Sequence, residues 1–124
     1  MFKVAIPVLH VRSSEKAEEF YCKKLGFRQK FSYRVDEKKA DPCYMGLVRD
    51  EARLHISSFS GDGVSGGVVR VEVEDVDAVH AELVGKGVGI DTGPIDQTWG
   101  TREMYVKDAD GNSIRFIQQS ANLA

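Results

Sequence analysis

The sequence has only two cysteines and no long apolar run, and these shortages argue against disulfide-built, metal-binding and membrane-spanning proteins. Its two cysteines, Cys22 and Cys43, have neither a C-x-x-C spacing nor a metal-like cluster around them, so they indicate reduced thiols. No apolar stretch approaches the roughly 18 residues that a membrane-spanning helix needs. Residues 1–15 become polar early and lack a small-residue cleavage site, which argues against a signal peptide. We therefore expect a cytoplasmic protein.

An excess of basic residues is also missing. The formal net charge is −2 and the pI is about 5.9, whereas a nucleic-acid-binding protein normally presents a basic face. We expect neither a nucleic acid nor a membrane as a partner. A chain of 124 residues can bury one core of its own and is too short for two independent domains.

Two halves of the chain repeat one order of elements. In the first half, residues 3–12 read as a strand in which Pro7 marks a sheet edge or a bend. A helix capped by Ser13 or Ser14 follows and ends at Gly26, and three predicted strands come after it.

The second half begins with an alternating strand and a helix that is capped by Asp75 and stopped by Gly87. A loop containing Pro94 then leads to two further strands. The spacing agrees as well, because Val11 and Val73 lie 62 positions apart and Met45 and Met104 lie 59 apart.

A duplicated unit of about 60 residues predicts an α+β fold made of two βαβββ modules. The repeat halves are residues 1–59 and 68–119, and a glycine-rich linker over residues 60–67 joins them within one domain, 1–124. Neither half is large enough to bury its sheet alone. We expect the two sheets to meet around a shared cleft, with the helices outside.

This pattern resembles the glyoxalase/bleomycin resistance/dioxygenase (vicinal oxygen chelate) superfamily. The segments IPVLHVRSSEKAEEFYCKKLGF, MGLVRDEARLHISS and WGTREMYVKDADGNSIRFI are similar to the bleomycin resistance protein family. The resemblance covers residues 5–119 and is weakest at 32–43 and 60–67. It implies non-catalytic binding and sequestration of a bleomycin-like or other planar aromatic small molecule by a homodimer with an exchanged N-terminal strand. The alternative is a metal-dependent lyase or dioxygenase of the same superfamily, and a pure interaction module is a third class.

Enzymes of the superfamily hold a divalent metal with one residue from each of four strands. The corresponding positions here are Ile6, Val68, His55 and Arg115. Two aliphatic side chains and a guanidinium have no lone pair for a metal, and one histidine is too few ligands. The sequence therefore predicts no metal ligands, no cofactor and no catalytic residues. A lone histidine on a strand is more often a packing residue, and we favour that interpretation for His55.

The resemblance assigns a ligand groove to four residues. Trp99 and Gly100 match a loop whose aromatic ring stacks on the drug, and Tyr44 and Phe31 match two further aromatic residues of that groove. Stacking contributes about 0.5–1.5 kcal/mol beyond burial and tolerates related ligands. A lone tryptophan more often belongs to a core, but the loop setting of Trp99 favours ligand contact.

The predicted groove contains basic residues, unlike the groove that the resemblance implies. Strand alternation places His10, His55, Arg70 and Arg115 toward the cleft, and Lys30 lies beside Phe31 in sequence. Resistance proteins of this type are implied to meet a cationic drug with an acidic groove. Either the arginines pair with nearby acids, or the groove accepts an anionic aromatic ligand. The candidate acids are Glu72, Glu103, Asp96, Asp36 and Asp41.

Overall fold

Two four-stranded sheets with helices packed on one face of each form the chain in the computed structural model, which describes residues 1–120. The elements in chain order are β1 (Val8–His10), α1 (Ser14–Ala17), a π-helical segment (Glu18–Lys24), β2 (Arg28–Arg34), β3 (Cys43–Arg49), β4 (Ala52–Ser57), β5 (Val68–Glu72), α2 (Val76–Gly85), β6 (Thr92–Asp96), β7 (Thr101–Lys107) and β8 (Ser113–Gln119). The prediction of two βαβββ modules is confirmed. No helix within these residues has the length and apolar character needed to cross a membrane.

The strand register repeats between the two sheets. The first sheet has the order β1-β4-β3-β2 and the second has the order β5-β8-β7-β6, with the first strand parallel to its neighbour in each case. Val8 lies opposite His55 in the first sheet, and Arg70 lies opposite Arg115 in the second. Val8 and Arg70 are 62 positions apart, which is the spacing that the sequence repeat indicates.

Both predicted helix starts are correct. The Ser13 hydroxyl accepts a hydrogen bond from the backbone of Lys16, and the Asp75 carboxylate accepts two bonds in the first turn of α2. The first helix departs from expectation after Ala17, because the backbone continues with π-helical bonds such as Leu25 N–H to Phe20 O at 2.9 Å. Apolar spacing cannot distinguish the two helical forms, so the sequence did not predict this segment.

One core joins the two modules. Its largest fully buried side chains come from both halves of the chain: Tyr21, Leu25, Met45, Ile56, Leu83, Met104 and Ile114. The turn between β7 and β8 links the modules by polar contacts as well. Asn112 Nδ2 donates to the carbonyl of His10 at 2.9 Å, and the hydroxyl of Tyr21 donates to Asp108 at 2.7 Å.

Two predicted elements differ in the structure, and proline explains both. The first strand spans only Val8–His10, because Pro7 has no N–H for the ladder and only its carbonyl is paired, with His55 N–H. The predicted loop around Pro94 is strand β6, which lies at the edge of its sheet. Its register is irregular between Thr92 and Ile95, so the missing N–H of proline is tolerated there.

Each sheet has a second face that carries no helix, which we name the open face. Leu9 of β1 and Val11 just after it are buried in the core, whereas Val8 and His10 alternate to the open face. The same alternation places Tyr44, Gly46 and His55 on the open face of the first sheet. All the candidate ligand-binding strand residues therefore lie on the open faces.

Candidate functional site

Three aromatic side chains form a cluster on the open face of the first sheet. Phe31 stacks nearly parallel to Tyr44, with ring centroids 6.3 Å apart, and meets His55 edge-on at 5.4 Å. The hydroxyl of Tyr44 and Nδ1 of His55 share a hydrogen bond of 2.7 Å. We name this group the Phe31 cluster. Burial lowers the pKa of His55, which favours its neutral ring, and burial followed by the charge of Asp62 raises the pKa of Tyr44.

The ring of Phe31 fits because residue 46 is glycine. Gly46 lies opposite both Phe31 and His55 in the sheet, and a Cβ there would overlap the Phe31 ring. Beside the ring is a shallow cavity of about 190 Å³. It is lined by Ile6, Lys30, Phe31, Gly46, Leu47, Val48, Arg53 and His55.

A buried carboxylate organises the open face of the second sheet. Glu103 is 0% exposed, and its two oxygens accept hydrogen bonds from Trp99 Nε1 at 3.0 Å, from the Thr101 hydroxyl and from the Tyr105 hydroxyl at 2.7 Å. The guanidinium of Arg70 lies 3.8 Å away. Burial raises the pKa of Glu103, but the three hydrogen bonds and Arg70 outweigh it and hold the pKa below its usual value. The lowered pKa favours the ionised form of this buried carboxylate.

Trp99 lies over this carboxylate and stays open to solvent. Its side chain is in the loop between β6 and β7, and the residue is 58% exposed. The loop turns at Gly100, whose φ of +97° is in the region that favours glycine, and Gly100 N–H bonds to Gln97 O at 3.1 Å. Because the indole N–H is directed to Glu103, the ring face is the part of Trp99 that remains available. A core position for this tryptophan is excluded.

The remaining candidate residues have distinct surroundings. Arg115 stacks on Tyr105, with Cζ 4.4 Å from the ring centroid, and Arg70 pairs with Glu103. His10 lies where the modules meet, and its buried Nδ1 has no hydrogen-bond partner among residues 1–120. Among the predicted acidic partners, only Glu103 contacts one of these two arginines. The other acids make different contacts: Glu72 with Gln119, Asp96 with Arg102, Asp36 with Lys38, and Asp41 with Ser14 and Ser58.

The structure therefore divides the predicted site residues into two groups. Phe31, Tyr44 and His55 lie together on the first sheet, whereas Trp99 lies with Arg70 and Arg115 on the second. Within residues 1–120, no hydrogen bond, ion pair or ring contact links the Phe31 cluster to the residues around Glu103. Sequence reasoning missed Tyr105 and the role of Glu103. The available signal was the alternation of Thr101, Glu103 and Tyr105, which places three polar side chains on one face of β7.

The strand register refines the expected metal positions. Val8 and Arg70, rather than Ile6 and Val68, lie directly opposite His55 and Arg115. The refined set still contains a single side chain that can ligate a metal, the imidazole of His55. In the described part of the chain, no three His, Cys, Asp or Glu side chains are grouped in a way that could hold a metal ion.

Comparison with known proteins identifies the family of this chain. The family model for glyoxalase superfamily proteins matches residues 1–122. Bleomycin resistance proteins of Geobacillus stearothermophilus and Staphylococcus aureus are each 30% identical to it, over 93% of this chain and 96% of theirs. The bleomycin-binding protein of Streptomyces verticillus, solved with copper(II)-bleomycin, superposes with a TM-score of 0.73 at 27% identity, covering 97% of this chain and 98% of that one. An antibiotic-binding protein from a Streptomyces species gives 0.74 at 26% identity, covering 97% and 99%. The chain belongs to the glyoxalase superfamily and, within it, to the bleomycin resistance protein family.

Proposed function

We propose that this protein binds and sequesters a bleomycin-like or other planar aromatic small molecule in the cytoplasm, without chemical turnover. The observation that carries the proposal is the exposed indole of Trp99, whose N–H is already bonded to Glu103. An indole held in this way offers a flat apolar surface to a ligand and needs no further hydrogen bond. The resistance proteins and bleomycin-binding proteins to which the chain is similar support the same function.

Stacking explains how such a site holds a planar ligand. The ring of Phe31 is 46% exposed and, like Trp99, presents apolar area that water covers in the free protein. An aromatic ligand that replaces this water gains burial and an offset stacking contact of about 0.5–1.5 kcal/mol per ring. The contacts depend on shape and apolar area, so related planar molecules are accepted as well.

The proposed binding unit is a homodimer with two grooves between its subunits. Trp99 and the Phe31 cluster lie on different sheets, and a second copy would allow each ring to cover one side of a ligand. The N-terminal arm supports an exchange between subunits, since Met1, Phe2 and Val4 are exposed ahead of the short strand β1. Sedimentation equilibrium should give twice 13.8 kDa at micromolar concentration, and a single species of 13.8 kDa would contradict the dimer.

Metal-dependent catalysis is the alternative that the donor set disfavours. The position opposite His55 is Val8, and the matching pair in the second sheet is Arg70 and Arg115. None of these three side chains offers a lone pair to a metal. Metal analysis after dialysis should therefore give substoichiometric zinc, nickel, iron and manganese. One tightly held metal per chain together with lyase or dioxygenase turnover would replace the proposal.

Tryptophan fluorescence tests the proposed function directly, because the chain contains only one tryptophan. Titration with metal-free bleomycin, and in parallel with a small set of planar aromatic compounds, should give saturable quenching. Calorimetry of the same mixtures should give one ligand per chain. The proposal fails if no compound changes the emission and none gives heat of binding.

A further inference from the structure

Positive charge is concentrated on the open face of the first sheet. The chain as a whole carries a formal net charge of −2. By the strand register, Arg28 and Arg53 both lie opposite Val48 on this face, and Lys30 lies at the irregularity of β2 next to Phe31. None of the strand positions on this face is occupied by aspartate or glutamate. The charge at these strand positions is thus opposite in sign to that of the whole molecule, and the acid that acts on this face, Asp62, lies in the loop near Tyr44 and Ser57.

The cations around the cavity also have no ion-pair partner among residues 1–120. Arg12, Arg49, Arg70 and Arg102 each lie next to a carboxylate, so half of the eight arginines in this chain have an acidic partner. Arg28, Lys30 and Arg53 make no ion pair and no side-chain hydrogen bond within residues 1–120. The closest acids along the chain do not pair with them either, although Asp50 and Glu51 form the turn before Arg53.

The cavity itself combines these charges with an apolar floor. Lys30 and Arg53 line it together with Phe31, His55 and the aliphatic residues Ile6 and Val48. Nδ1 of His55 is occupied by the Tyr44 hydroxyl. No carboxylate lines the cavity, so a cationic ligand group would meet only like charge or a neutral ring there.

We infer that this cavity takes the anionic group of an aromatic ligand, such as a carboxylate or a sulfonate, between Lys30 and Arg53 while the ring of the ligand stacks on Phe31. This inference rests on the proposed function and names the class of ligand. Guanidinium and ammonium groups donate several hydrogen bonds to an oxyanion, and the apolar floor accommodates the attached ring. The cavity of about 190 Å³ suits such a group with part of one ring rather than a whole glycopeptide.

A pair of probes with one ring system separates charge from stacking. The anionic probe is 8-anilinonaphthalene-1-sulfonate, and the uncharged probe is N-phenyl-1-naphthylamine, which lacks the sulfonate. Dissociation constants for both are measured with the wild type, with the double variant Lys30→Gln/Arg53→Gln, and with the control variant Lys38→Gln/Lys39→Gln. The control removes the same charge from two exposed lysines in the loop after β2.

The wild type should bind the sulfonate probe more tightly than the uncharged probe. Each removed cation should weaken sulfonate binding about two- to fivefold, as for exposed charge pairs, and should leave the uncharged probe unaffected. The control variant should bind both probes as the wild type does. Equal affinity of the wild type for both probes, or equal weakening by the control variant, would overturn the inference.

Two further outcomes separate this inference from the proposed function. If bleomycin quenches Trp99 but neither probe binds, the anionic ligand class is wrong and the binding function stands. If neither the probes nor bleomycin nor the aromatic set binds, both are wrong. Weakening of both probes to the same extent in Lys30→Gln/Arg53→Gln would show that these residues support the fold of the cavity rather than an anion.

Discussion

The open faces of the two modules share a backbone and differ in chemistry. Gly46 lies opposite His55 in the first sheet, and Tyr105 occupies the matching place opposite Arg115 in the second. The glycine leaves space for the ring of Phe31, whereas the tyrosine supports Arg115 and donates to a buried carboxylate. The strand register is thus the same in the two modules, and single residues at matching positions give the two faces different chemistry.

The two faces also differ in how their polar groups are satisfied. On the second sheet, Glu103 receives hydrogen bonds from three side chains, which fixes the indole of Trp99. On the first sheet, the aromatic rings pack beside cations that have no partner within the described residues. The side chains of the second face are therefore held by hydrogen bonds to one carboxylate, whereas the cations of the first face are left for the ligand in our proposal.

Replacing Glu103 should cause the largest loss of stability, because it disrupts the hydrogen bonds that hold the side chains of the second open face. The two carboxylate oxygens of Glu103 accept hydrogen bonds from three donors. In Glu103→Gln only one oxygen remains as an acceptor, and the NH₂ group that replaces the other oxygen faces the same donors. Each buried donor left without an acceptor costs about 1–3 kcal/mol. We expect the free energy of unfolding to fall by roughly 3 kcal/mol in chemical denaturation.

The matched substitution on the first sheet is Tyr44→Phe, which removes a single hydrogen bond to His55. It should cost about 1 kcal/mol. Equal losses for Glu103→Gln and Tyr44→Phe would contradict the contrast between the two faces.

A smaller loss of stability should follow from adding a side chain at Gly46, the position that Tyr105 occupies in the second sheet. In Gly46→Ala, the new Cβ overlaps the ring of Phe31 and moves it outward. Phe31 is half-exposed, so the ring can turn away and the stability loss should be about 1 kcal/mol. The affinity for the planar ligand should fall with it, as calorimetry would measure. If the affinity does not change, Phe31 does not contact the ligand.

Acid should destabilise the two faces in separate steps. Burial holds the pKa of His55 below about 6.5, so the unfolded chain takes up this proton first, and stability decreases as the pH falls from about 6.5 to the folded pKa. Glu103 has a depressed pKa, so its contribution is present above about pH 4.3 and is lost as the pH falls through the folded value. Denaturation between pH 8 and 3 should show that His55→Gln removes the first step and Glu103→Gln the second. A pH profile that neither substitution changes would contradict both assignments.

Much of the fold could be predicted because its signals are local. The caps at Ser13 and Asp75, the glycine stops and the strand alternation act within a few residues, and the duplication made the order of elements visible twice. Strand β6 was missed for a physical reason. Gly93 and Pro94 normally interrupt a strand, and only its place at a sheet edge with an irregular register lets them be part of one.

The candidate site was less accessible from sequence. The exposed position of Trp99 was predicted, but its hydrogen bond to Glu103 depends on the turn at Gly100, which brings a loop side chain over the middle of β7. The separation of Trp99 from Phe31 depends on how the modules pack, and no local pattern encodes it. Local patterns also do not show that Lys30 and Arg53 line one cavity and lack an acidic partner within residues 1–120, because this depends on contacts between strands.

The most direct test of the account is Trp99→Ala, with thermal unfolding and calorimetric ligand titration on the same preparation. The residue is 58% exposed, so the melting temperature should change little, whereas truncating a core tryptophan would cost about 3–5 kcal/mol of stability. Binding of the planar ligand should weaken by roughly 1–3 kcal/mol, about five- to 150-fold, because stacking and burial are both lost. A variant that unfolds, or that binds every ligand as tightly as the wild type, would contradict the role of Trp99 as the stacking surface.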